Sequence, residues 1–114
     1  METENNKLIA QFMGARIGGT GIVHFPDGNK YHIDYKKLPT KGVYYHSDWN
    51  WLMPVVQKIE NLGYNVNISG ITCSVSRLLE TETIMQWVCG NRQDKIGLVY
   101  KTVVEFINWY NESN

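Results

Sequence analysis

The sequence predicts an α+β fold: an antiparallel sheet of hairpins with two long helices and one short N-terminal helix. Three stretches carry that prediction. Trp49, Leu52, Val55, Val56, Ile59 and Leu62 share one face at 3.6 residues per turn, opposite Asn50, Gln57, Lys58 and Asn61. Tyr64, Val66 and Ile68, then Ile71, Cys73 and Val75, alternate with polar residues about Ser69-Gly70. Ile96, Val99, Tyr100, Val103, Phe106, Ile107 and Tyr110 form a second helical stripe. The expected order is α-β-β-α-β-β-β-α in a single domain spanning 1–114.

Along the chain, residues 3–13 read as the short helix, with Leu8, Ile9 and Phe12 on one side and Gly14 placed to stop it. Gly18, Gly19 and Gly21 follow, but without the spacing of a phosphate-cradling loop, so a flexible entry or bulged strand is expected. Residues 22–25 and 30–35 flank Pro26-Asp27-Gly28-Asn29, a hairpin signal. Pairing Phe25 with Lys30, His24 with Tyr31 and Ile22 with Ile33 sets Ile22, His24, Tyr31, Ile33 and Tyr35 on the core face. Val23, Phe25, Lys30, His32 and Asp34 then face away, and a bulge at the turn would change this pairing.

Residues 36–45 form a connection that is basic at Lys36, Lys37 and Lys41 and broken by Pro39 and Gly42. The central helix begins at Ser47 or Asp48, whose side chains can accept from the first-turn N–H groups. Pro54 should kink it or loosen its first turn, and Gly63 should end it. A Ser69-Gly70 turn would pair Ile68 with Ile71, Val66 with Cys73 and Tyr64 with Val75, placing every apolar residue on one face. Residues 78–82 read as a link and 83–89 as a strand. That strand is apolar on both sides (Ile84 and Val88; Met85, Trp87 and Cys89), as in a central strand or one offering a face to a partner. Residues 94–110 form the last helix, capped by Asn91 or Asp94, with Leu98, Thr102 and Trp109 beyond the edge of its stripe. A polar tail follows.

The 114 residues suffice for one domain with a real core. Lys plus Arg and Asp plus Glu balance at eleven each, which argues against a domain that grips long nucleic acid through phosphates. Cys73 and Cys89 lie in strand-like runs and read as small buried hydrophobes rather than a disulfide. The N-terminus is too polar for a signal peptide and no apolar run has membrane-spanning length. The expectation is a soluble, reduced, cytoplasmic protein with no membrane contact.

His46, Ser47 and Asp48 are the residue types of a hydrolase triad, but adjacent side chains diverge and the capping role explains Ser47 and Asp48 better. His24 and His32 fall on opposite faces in the pairing above, which counts against a shared metal site. Glu80 and Glu82 read as solvated. No catalytic residue, metal-ligand set or cofactor is assigned. The unusual feature is aromatic: four Trp and seven Tyr. Tyr44, Tyr45, His46, Trp49 and Trp51 gather at the mouth of the central helix, where they can fill the core or stack on a flat ligand.

Three stretches together resemble a group of small proteins of unassigned function encoded by phages and by prophage-carrying bacteria. They are Asn6-Lys7-Leu8-Ile9-Ala10-Gln11-Phe12-Met13-Gly14, residues 45–60, and Val103-Val104-Glu105-Phe106-Ile107-Asn108-Trp109-Tyr110-Asn111. The order of parts is also similar, more loosely, to the phage α-β-α sandwich family, while residues 15–44 depart freely. The resemblance implies an accessory protein of phage type acting in a bacterial host cytoplasm, and brings no activity or site residues with it.

The reading that follows is a non-enzymatic binding or interaction module, oligomeric, for a nucleotide-like small ligand or a host protein. Its candidate ligand contacts are Tyr44, Tyr45, His46 and Trp51, with Arg77 and Arg92 for charge; Leu98, Thr102 and Trp109 are candidates for an oligomer or partner interface. One alternative is nucleic-acid binding by the basic loop 30–41 through Lys30, Lys36, Lys37 and Lys41. A second is a small hydrolase or transferase built on His46.

Overall fold

The computed structural model describes residues 2–37, 41–70, 72–77, 83–88 and 94–113. Ile71, the 78–82 link with Glu80 and Glu82, Cys89, Asn91 and Arg92 lie outside the described residues, as do the side chains of Ile84, Met85, Trp87 and Val88. The elements are α1 (Glu2–Phe12), β1 (Arg16–Ile17), β2 (Ile22–His24), β3 (Lys30–His32), α2 (Trp49–Asn61), β4 (Tyr64–Ser69), β5 (Thr72–Arg77), β6 (Thr83–Val88) and α3 (Lys95–Ser113). This is the expected α+β order, with the two-residue β1 added at the edge of the first hairpin. The strands form two antiparallel sheets, β1-β2-β3 and β4-β5-β6.

In the first sheet β2 and β3 pair one residue out of the expected register: Ile22 with His32, Val23 with Tyr31 and His24 with Lys30. A shift of one turns β2 over relative to β3, so Val23 and Phe25 replace Ile22 and His24 on the core side while Tyr31 and Ile33 stay there as expected. Val23 is fully buried, with Phe25, Tyr31 and Ile33 packed on its side, whereas Ile22, His24, Lys30 and His32 share the opposite face. The turn explains the shift. Phe25 N donates to Asn29 O, and Asp27 carboxylate oxygens accept from both the backbone and side-chain nitrogens of Asn29, so the loop closes tightly around Phe25 and Asn29. The segment after the basic loop runs along the far side of β3, where His32 N donates to Lys41 O and His32 bridges Gly42 in parallel.

In the second sheet the register is displaced by two: Ile68 pairs with Cys73, Val66 with Val75, and Ser69 with Thr72, whose hydroxyls bond at 2.7 Å. A shift of two preserves the faces, so Tyr64, Val66, Ile68, Cys73 and Val75 still point inward. A bulge between Val75 and Ser76 bends the β5–β6 ladder.

Helix α2 starts after Asp48, whose Oδ1 accepts from Asn50 N at 2.9 Å, and continues through Pro54. Leu62 caps its end and Gly63 turns away at φ +100°, a conformation open to glycine. Leu52, Val55, Val56 and Ile59 are buried, but Trp49 and Leu62 are exposed, because they stand at the first and capping positions where the inner face has run out of neighbours. The Lys58 ammonium reaches the Phe12 carbonyl at the end of α1 and lies over the Phe12 ring, joining these two helices. At the head of α3 the Asp94 carboxylate folds over the first turn, so near Gly97 that a Cβ there would lie 2.5 Å from Oδ1.

Helix α3 packs against β5, β6, α1 and α2. Its middle is therefore buried nearly all round, from Leu98, Val99 and Tyr100 to Phe106 and Ile107. The buried residues form one cluster that draws on every helix and both sheets. Among the described residues, no helix is long and apolar enough to cross a membrane.

Candidate functional site

Tyr44 and Tyr45 are neighbours in the chain and join different aromatic groups. Tyr45 is buried and meets Trp51 edge to face at 5.2 Å; Trp51 in turn meets Tyr31 at 4.8 Å and Phe25 at 6.3 Å. Tyr44 lies with Tyr35, which sits 4.7 Å from the His46 ring, and His46 faces Tyr100. The sequence signal, a concentration of aromatics before the central helix, is thus split by the backbone into two clusters.

The Trp51 cluster borders an open cleft of about 250 Å³ between the β2–β3 turn and the head of α2, lined also by Asp27, Asn50 and Pro54. Three rings pack on the half-buried Trp51 indole, and the polar residues Asn50 and Asp27 also line the cleft. Burial, assisted by neighbouring Tyr31, pushes the Tyr45 phenol well above its ordinary value, so its hydroxyl remains a protonated donor. This arrangement can hold a flat ring and a few polar substituents.

His46 is committed elsewhere. The Tyr100 hydroxyl donates to Asn6 Oδ1 at 3.0 Å, which orients the fully buried Asn6 so that its Nδ2 donates to His46 Nδ1 at 3.1 Å. Neutral His46 then carries its proton on Nε2. Asp48 is engaged in capping α2. His46 and Asp48, two of the three residue types of a triad, are therefore placed in separate structural roles.

Arg77 ends β5 beside Trp109, its guanidinium 5.9 Å from the indole. Its β4 partner is Tyr64, which follows the C-terminal end of α2, whereas Trp51 lies in the first turn of that helix. About 15 Å of helix separates the two ends, so Arg77 and Trp51 belong to different regions. The proposed interface residues also divide. Leu98 and Thr102 are buried within the chain; Thr102 Oγ1 donates to Leu98 O at 2.9 Å and also bonds the Cys73 thiol, which burial raises above its usual range. Both are thereby corrected from interface to core. Trp109 is half-buried, between Phe106, Tyr64 and Arg77.

A second cleft, of about 430 Å³, lies on the opposite face of the hairpin. Its side chains include His24, Lys30, His32 and Lys41, of which the two imidazoles are brought together by the one-residue register shift. Only the pairing separated them in the sequence reading. Among the described residues no group of three or more His, Cys, Asp or Glu could hold a metal ion. Compared with known proteins, the chain matches no family model, and no curated protein or solved structure matches it significantly.

Proposed function

We propose that this protein is a non-enzymatic binding module of phage type, acting in a bacterial cytoplasm, that holds a small nucleotide-like molecule at the Trp51 cleft. The observation that carries the proposal is the packing of Trp51 by Phe25, Tyr31 and Tyr45 beside an open cleft lined also by Asn50 and Asp27. Rings already fixed by their neighbours lose little freedom when a ligand stacks on them, which favours binding of flat molecules. Asn50 supplies both a donor and an acceptor for a heterocycle edge. In this reading Tyr31, Tyr45 and Trp51 are the contacts, Tyr44 and His46 support the fold, and Arg77 acts elsewhere, with Trp109 as a contact for a second copy or a host protein.

Native mass spectrometry of protein purified gently from cells tests this directly. A discrete added mass of nucleotide size is expected, and Trp51→Ala should lose it while the far-ultraviolet circular dichroism stays unchanged. A folded chain of bare mass, with no change in Trp fluorescence on adding mononucleotides, would refute it.

A further inference from the structure

The geometry points to a separate anion site, for a small phosphorylated ligand, in the His24–Lys30–His32–Lys41 cleft on the outer face of the β1–β2–β3 sheet. This inference stands independently of the Trp51 cleft. It begins with the ladder. His24 is directly opposite Lys30, and Ile22 is directly opposite His32, so both imidazoles and the Lys30 ammonium project from one face. Lys41 is held beside them by the bond from His32 N to its carbonyl. Thr20 adds a hydroxyl, and no carboxylate lines the cleft among the described residues. In a chain of zero net charge, two ammonium groups gathered without an acid, beside two imidazoles, make a local positive field.

The orientation of His32 separates an anion from a metal ion. Asp34 N donates to His32 Nδ1 at 3.1 Å, so the neutral ring carries its proton on Nε2 and presents that edge as a donor. A metal at Nε2 would require the proton on Nδ1, directed against the Asp34 N–H. A phosphate oxygen meets no such conflict; it accepts from Nε2–H.

The glycine-rich entry lies against the two imidazoles of this cleft. The two rings lie over the turn 18–21, His24 Nε2 being 3.4 Å from where a Cβ on residue 18 would stand and His32 Cε1 3.6 Å from one on residue 21. Side chains there would meet the imidazoles at ordinary van der Waals distance. Gly21 also has φ +80° and gives its carbonyl to Ile33 N, so it fixes the turn against β3. The volume of the cleft suits a phosphorylated metabolite of mononucleotide size or smaller.

Inorganic pyrophosphate is the probe, titrated into the full chain at low salt and neutral pH while the imidazole nitrogen and carbon-bound proton resonances of His24 and His32 are followed by NMR. Saturable shifts of both rings are expected, the His32 Nε2–H tautomer should persist, and Lys30→Ala and Lys41→Ala should each weaken binding by about tenfold with the fold intact. Both lysines are exposed, so neither substitution opens the core. Several outcomes would overturn the site: no saturable shift at millimolar pyrophosphate, unchanged affinity in both variants, or a response to Zn²⁺ alone. Binding of a single-stranded oligonucleotide where pyrophosphate and a mononucleotide both fail would instead assign this face to nucleic acid.

Discussion

The Tyr45 phenol is enclosed by Trp51 and Tyr31, with only 2% of its surface exposed. In the unfolded chain it ionises near its ordinary 10.0; in the fold burial raises that value further. Above the unfolded value the folded state therefore holds the extra proton, and stability must fall as pH rises. Tyr45 should account for a loss of up to about 1.4 kcal/mol per pH unit once pH passes the unfolded value. Urea melts on the alkaline side should show this steepening, and Tyr45→Phe should flatten it; equal slopes would show that the phenol is reached by solvent. Cys73 follows the same sign from a lower starting value, because burial raises its thiol while the Thr102 bond opposes the rise.

Each element records a contest between local chemistry and its neighbours. In α2, Asp48 caps the helix as its position in the sequence predicts, yet Pro54 sits inside the helix, where it offers no N–H to the preceding turn. It borders the Trp51 cleft, so a helix defect is kept beside a cleft where a ligand is proposed to sit. Pro54→Ala should stabilise the protein by about 2 kcal/mol, the helix gain less the freedom restored to the unfolded chain. The midpoint of urea unfolding measures this, and an unchanged or lowered midpoint would show that the proline ring contributes packing of equal worth. The hairpins show the same contest in register. The β4–β5 pattern survived a slip of two, since alternation has period two, whereas the β2–β3 slip of one exchanged the faces of β2 alone and moved His24 to the side of His32.

At the scale of the molecule, α3 packs against two helices and two strands, and Asn6 is a residue that ties it to the distant chain. Asn6 in α1 joins His46, forty positions on, and Tyr100 in α3, ninety-four positions on. Asn6→Ala should cost about 2 kcal/mol and Tyr100→Phe about 1 kcal/mol, with a double mutant less destabilised than the sum because both remove the same bond. Chemical denaturation of the three variants gives the coupling directly; strict additivity would mean that the bond contributes little. The residues proposed to bind ligands lie outside this hydrogen-bonded link. Both clefts flank the β2–β3 hairpin, so ligand contacts and the buried polar link can be altered separately.

The sequence alone determined the helices, their inner stripes, the caps and the amphipathic second hairpin. These are local properties: 3.6 and 2.0 periods, a side chain that can reach a free N–H, and a glycine that can turn left. What only the tertiary structure decided was which residues meet. Leu98 and Thr102 are core because β5 covers a side of α3 that its own periodicity leaves open. Tyr44 and Tyr45 part company because the chain turns there, Ser47 N and Asp48 N both donating to Tyr44 O, so that the two rings meet different neighbours. The cleft of His24, Lys30, His32 and Lys41 arises from the closure of a turn at Phe25 and Asn29, which set a register that alternation alone left ambiguous by one residue. A pattern fixes which residues share a face of one element; the contacts between elements fix which face is inside.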